Sequence, residues 1–131
     1  VNDSYYIERI ITWLTASGVK VELYAFDLPC AGMYRSETRE VFLNVPGARD
    51  ALLAIAHEAG HWLGYVVFKE KLHSYQRERQ AFTYGWRVLV LVGADRLITR
   101  KEWIQAERER RTAPDVDASG FRPREVESLP L

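Results

Sequence analysis

Ten residues, Ala54-Ile55-Ala56-His57-Glu58-Ala59-Gly60-His61-Trp62-Leu63, constrain this chain more than any other stretch. Ala51 to Ala56 precede the centre of the run, and Trp62, Leu63, Tyr65, Val66, Val67 and Phe68 follow it. A helix apolar nearly all round is a buried helix. Two histidines and a glutamate inside it are costly unless they are paired or bound to a metal. His57 and His61 stand four apart, so a helix sets them on one face with Cβ atoms about 5–6 Å apart. Two imidazole nitrogens can then converge on one Zn²⁺ at about 2.0–2.1 Å each. Glu58, one residue on, points beside such a metal and suits a general base toward a zinc-activated water. The competing reading is a pair of core histidines bonded to carbonyls.

The rest of the chain alternates period and punctuation around that helix. Ile7, Ile10, Ile11 and Leu14 predict a first helix, capped by Asp3 or Ser4 and stopped at Gly18. Val21, Leu23 and Ala25 then alternate with polar residues, a strand over about 20–26. Asp27-Leu28-Pro29 breaks it. A second short strand is expected over 31–36 and a third over 40–45, joined as a hairpin through Ser36-Glu37-Thr38-Arg39. The His57–His61 helix should run over about 48–68 and a second long helix, capped by Ser74 and closed by Gly93, over about 75–92. Thr99-Arg100-Lys101-Glu102 has capping-box spacing and opens a last helix over about 100–111. The expected class is α+β, with a small antiparallel-containing sheet of about three strands and one domain over 1–111. Residues 112–131, with Pro114, Gly120, Pro123 and Pro130, read as a tail.

Bulk properties narrow the setting. The chain has 131 residues, a length for one domain, and 47% hydrophobic residues, enough for a core. No apolar run approaches the ~20 residues of a membrane span, and no signal-peptide pattern opens the chain. Cys30 is alone, which excludes an internal disulfide and fits a reducing compartment. A cytoplasmic protein with no membrane partner is therefore expected. The sequence opens at Val1, so an initiator methionine has been removed or the chain belongs to something longer. Net charge is zero, yet residues 69–111 hold eleven basic and six acidic groups. These decorate helices as a solvated face, and no DNA-reading motif accompanies them, so direct nucleic-acid binding is not expected.

A catalytic zinc needs a third protein ligand and keeps its fourth position for water. The order helix, small sheet, H-E-x-x-H helix, second long helix looks like a zincin. Gly64 sits where the metzincin pattern wants glycine, but that pattern then needs histidine at position 67, which is Val67. Glutamate on the following helix, as in gluzincins, is the remaining common solution. Glu78 shares a helical face with Ala81, Phe82, Gly85 and Leu89, whose two small residues favour close approach to the His57–His61 helix. Glu70 lies in a Lys-flanked connection. Glu78 is the favoured metal ligand; Glu70, His73 and a plain ion pair of Glu78 with Arg77 or Arg79 are the alternatives.

Glu78-Arg79-Gln80-Ala81-Phe82 following His57-Glu58-Ala59-Gly60-His61-Trp62-Leu63 resembles the ImmA/IrrE family of small zinc metallopeptidases. There an E-x-x-A helix supplies the zinc-binding glutamate after the H-E-x-x-H helix. Gly32-Met33-Tyr34 and Val41-Phe42-Leu43-Asn44 are similar to the family's sheet, and the likeness covers roughly residues 20–92. The usual alanine-rich continuation after E-x-x-A is Thr83-Tyr84-Gly85-Trp86 here. The resemblance implies a metalloprotease with zinc on His57, His61 and Glu78, Glu58 as catalytic base, and a regulatory protein such as a transcriptional repressor as substrate.

Further expectations attach to single residues. The third strand, at a sheet edge, can pair with an extended peptide by β-augmentation. Tyr34, His73 and Tyr84 are candidate oxyanion donors, each with packing or surface exposure as the plainer fate. Cys30 can cap an open zinc position, though a small buried hydrophobe needs no supporting motif. The rival functions are a binding module with a structural zinc and a catalytically silent zincin scaffold that acts by binding a partner protein. Oligomeric state and cleavage site stay open.

Overall fold

The computed structural model describes residues 2–23, 32–35, 40–43, 47–67, 69 and 74–110. The expected tail, Cys30, Glu70 and His73 lie outside the described residues. Four α-helices and a three-stranded sheet make up the described fold, an α+β arrangement.

Helix α1 spans Asp3–Ala16 and buries Tyr6, Ile10, Trp13 and Leu14, one face at helical spacing. Its cap is Asn2 rather than Asp3 or Ser4. The Asn2 side chain accepts from the Tyr5 N–H at 3.2 Å, satisfying one of the first-turn donors. Gly18 follows the helix at φ 87°, the left-handed conformation that suits glycine after a C-cap.

Strands β1 (Lys20–Leu23), β2 (Gly32–Arg35) and β3 (Glu40–Leu43) follow. Strands β2 and β3 pair antiparallel, as the hairpin reading requires, with Met33 opposite Phe42 and Tyr34 opposite Val41. The sheet order is β1-β3-β2, and β1 lies parallel to β3. β3 is therefore the central strand, with ladders on both sides. The expectation that its edge receives a peptide is overturned, because its backbone groups are already engaged by β1 and β2. Among the described residues, β1 and β2 are the edge strands. Val41 of β3 is fully buried in the core, and Val21 of β1, partly buried, packs against that core.

Helix α2 spans Ala48–Trp62 and holds the H-E-x-x-H run. Leu52 to Gly60 are buried without interruption, so the sequence-level reading of a helix buried all round holds. Its continuation differs from expectation. Leu63–Val67 form a π-helical turn instead of further α-helix. Gly64 there faces Gln80, whose side chain fills the space a Cβ would need. Its glycine answers a packing demand rather than a third-histidine motif.

Helix α3 spans Ser74–Val92, Gly93 follows at φ 88°, and a 3-10 turn over Ala94–Arg96 leads toward α4, Arg100–Arg110. Thr99 Oγ1 accepts from the Glu102 N–H at 3.1 Å, one half of the capping box. The Glu102 carboxylate turns elsewhere, to Arg49 at the start of α2. Arg49 also donates to Asp3 at 2.8 Å, so one guanidinium joins the first turns of α1, α2 and α4.

Candidate metal centre

The site depends on how closely α2 and α3 approach. A Cβ on Gly60 would stand 2.5 Å from the Ala81 carbonyl oxygen and 2.7 Å from the Gly85 nitrogen. A Cβ on Gly85 would stand 2.8 Å from the Ala56 carbonyl oxygen and 2.9 Å from the Trp103 ring. Two glycines and two alanines thus form a seam in which backbone meets backbone. One turn before Ala81 and Phe82, this seam delivers Glu78 to the histidine face of α2.

There the three expected ligands meet. His57 Nε2 lies 3.2 Å from one Glu78 carboxylate oxygen, and His61 Nε2 lies 3.3 Å from the other. The imidazole rings stand edge to face, with centroids 4.9 Å apart. One donor atom from each of the three residues falls within 4.8 Å of the others. The Arg79 guanidinium lies over the Phe82 ring, 5.0 Å from its centroid.

Two observations test whether this set suits a metal ion. Ligand bonds of about 2.0–2.1 Å in tetrahedral geometry place donor atoms about 3.3 Å apart, and each histidine Nε2 stands at about that distance from its own one of the two Glu78 oxygens. The second observation concerns hydrogen-bonding capacity. His57 Nδ1 lies 2.8 Å from Glu107 Oε1, and its Nε2 faces Glu78. A neutral imidazole has a single N–H and cannot donate to acceptors on both sides. The Nε2 side therefore needs a positive charge, either a proton or a metal ion. Without a metal, burial pushes the His57 pKa down, but hydrogen bonds to Glu107 and Glu78 outweigh it and raise it to about 10. Burial likewise opposes ionisation of Glu78, yet both histidines hold its carboxylate well below the usual range. Both shifts describe an imidazolium–carboxylate pair in the metal-free chain, the place of whose proton a metal ion can take. The residues fit a divalent cation.

Access and neighbours complete the picture. His57 is buried, while the His61 and Glu78 side chains remain 18% and 41% exposed, so the ligand set opens to solvent on one side. Glu58 is buried at 6% and close enough to His57 for its charge to favour the imidazolium. Tyr84, one of the suggested oxyanion donors, is fully buried in the core. The Tyr34 side chain and His73 lie outside what the structure describes.

Glu107 was not anticipated. It is 2% exposed, stands fifty residues from His57 in sequence, and lies in the charged run Arg100-Lys101-Glu102 to Arg110 that reads as a solvent-facing helix. The available signal was Trp103, four residues earlier on the same face. Trp103 is fully buried, donates its indole N–H to the Phe82 carbonyl at 3.0 Å, and turns that face of α4 inward.

No protein-family model, curated protein or solved structure matches the chain. The functional reading therefore rests on the site.

Proposed function

We propose that this chain is a zinc-dependent metallo-endopeptidase of the ImmA/IrrE type, a gluzincin-like zincin that cleaves a protein substrate. The supporting observation is the convergence of His57, His61 and Glu78, one donor atom from each within 4.8 Å of the others, with one side open to solvent. Structural zinc sites close all four positions with protein groups, whereas catalytic sites leave one free. Among the described residues, the only possible metal-holding group consists of these three.

Held there, Zn²⁺ supplies Lewis acidity, which makes water easier to deprotonate and polarises a peptide carbonyl. The chain's own contribution begins with Glu58. Its carboxylate, next to His57 on the helix and shielded from bulk water, accepts the proton of the attacking water and returns it to the departing amine. Glu78 and the two imidazoles fix the ion without consuming that base. A regulatory protein such as a transcriptional repressor is the expected substrate, on the family resemblance of the sequence.

The test is reconstitution with Zn²⁺, followed by elemental analysis, X-ray absorption and chelator-sensitive cleavage of casein as an unstructured probe. One zinc per chain with three protein ligands and an oxygen from solvent supports the proposal. A folded protein that holds no zinc ends it. Four protein ligands and no cleavage would favour the alternative, a structural-zinc or silent zincin module that binds a partner protein.

A further inference from the structure

Glu107 reaches the candidate centre from a helix that the motif does not include. Its carboxylate is 2% exposed, and ionised groups are seldom buried so fully without a specific partner. One such partner is the His57 imidazole, whose Nδ1 lies 2.8 Å away. Nδ1 and Nε2 are opposite nitrogens of one ring, so a proton held on Nδ1 by Glu107 leaves the Nε2 lone pair facing Glu78 and His61. His61, like His57, meets Glu78 through Nε2.

We infer that Glu107 is a positioning residue for the metal centre: it holds His57 in the Nδ1–H tautomer and thereby makes α4 part of the metal-binding unit. This rests on the metal-site reading above. Metal-ligating histidines commonly donate their second N–H to a carboxylate, which fixes the ring and raises its basicity.

The placement of α4 is consistent with that duty. Its first turn is capped by Thr99 and tied through Glu102 to Arg49 of α2. The adjoining Trp103 pins the same turn to α3 by its hydrogen bond to the Phe82 carbonyl. Glu107 lies one turn beyond Trp103, so these anchors set its carboxylate behind His57. The helix that carries His57 and the helix that orients it are thereby joined at two points, Arg49–Glu102 in the first turn of α4 and His57–Glu107 further along. A carboxylate with only a structural role would need a partner, but it would not need to leave one particular imidazole nitrogen free.

The experiment uses the full chain with Zn²⁺ alone and compares wild type with Glu107→Gln and Glu107→Ala. Competition with a chromophoric chelator measures affinity, and long-range ¹H–¹⁵N correlation spectra report the tautomer of each histidine. Glu107→Ala should weaken Zn²⁺ binding about 10- to 100-fold. Glu107→Gln, which keeps size and an oxygen acceptor, should preserve the fold and weaken binding by a smaller factor. In zinc-loaded wild type, His57 should appear as the Nδ1–H form with Nε2 as ligand. Both variants should shift the His57 nitrogens while those of His61 stay in place. If Glu107→Ala does not fold, Glu107→Gln decides. Unchanged Zn²⁺ affinity and unchanged His57 nitrogens in folded variants would overturn the inference and leave the metal site standing. Failure of wild type to bind Zn²⁺ would overturn both.

Discussion

Gly60 and Gly85 meet across the α2–α3 seam so closely that a Cβ on Gly60 would stand 2.7 Å from the Gly85 nitrogen. Real Cβ atoms do not sit at that distance from backbone, so the helices can approach this far only with glycine at both positions. The seam is a structural relation with a chemical consequence, because Glu78 lies on the same helix one to two turns away from Gly85.

Gly85→Ala tests that relation. Within a helix, alanine is favoured over glycine by about 1 kcal/mol. Here the added methyl group meets the Ala56 carbonyl oxygen at 2.8 Å and the Trp103 ring at 2.9 Å. Overpacking of this kind costs about 1–3 kcal/mol, so the clash should win and thermal stability should fall. Zn²⁺ affinity should fall as well, since α3 must retreat and take Glu78 with it. Calorimetry and chelator competition on the same samples measure both. A more stable protein with unchanged affinity would mean that the seam has slack.

Glu78→Ala should reduce Zn²⁺ affinity far more than Glu70→Ala. Glu78 has one carboxylate oxygen 3.2 Å from His57 Nε2 and the other 3.3 Å from His61 Nε2, and its helical face carries the small residues Ala81 and Gly85. Equal affinities for the two variants in a chelator competition would transfer the ligand role to another group.

The legibility of this site follows from sequence distance. His57, Glu58 and His61 are readable because one helical turn fixes their geometry, and Glu78 because its face carries Ala81 and Gly85. Glu107 had a weaker local signature: its helix is mostly charged, and Trp103, four residues earlier, is what marks the face that turns toward α2 and α3. The sheet order was hidden for a related reason. Alternation identifies β1, β2 and β3 as strands, and a short polar turn suggests the β2–β3 pair, but no local pattern announces that β1 will join β3 in parallel. The π-helical turn at Leu63–Val67 has no local announcement either; within it Gly64 meets Gln80 from another helix.

Arg49 offers a test of how the helix starts are held together. Its contacts with Asp3 and Glu102 are geometrically good, but the side chain is 36% exposed. Partly exposed ion pairs are typically worth about 0.2–1 kcal/mol each and weaken with salt. Arg49→Ala should therefore lower stability by about 1 kcal/mol in low salt. A double-mutant cycle with Glu102→Ala, repeated in high salt, checks it. A coupling unaffected by salt would mean that the loss comes from packing of the arginine stem.

Glu58→Gln should separate metal binding from catalysis. Glutamine keeps the size of the side chain and much of its hydrogen bonding. His57, His61 and Glu78 form the ligand cluster without Glu58, so zinc content should stay near wild type. Thermal stability should hold or rise slightly, because a neutral amide is cheaper to bury than a carboxylate at 6% exposure. What disappears is the basicity that accepts a proton from the attacking water. General acid–base assistance is typically worth about 10²–10⁴-fold, and cleavage should fall by at least that range's lower bound. The measurement is zinc content, melting temperature and cleavage rate of one protein substrate on paired preparations. Wild-type cleavage by Glu58→Gln would remove Glu58 from the mechanism. Loss of zinc together with the carboxylate would make Glu58 a ligand, and the open position on which the peptidase reading depends would be closed.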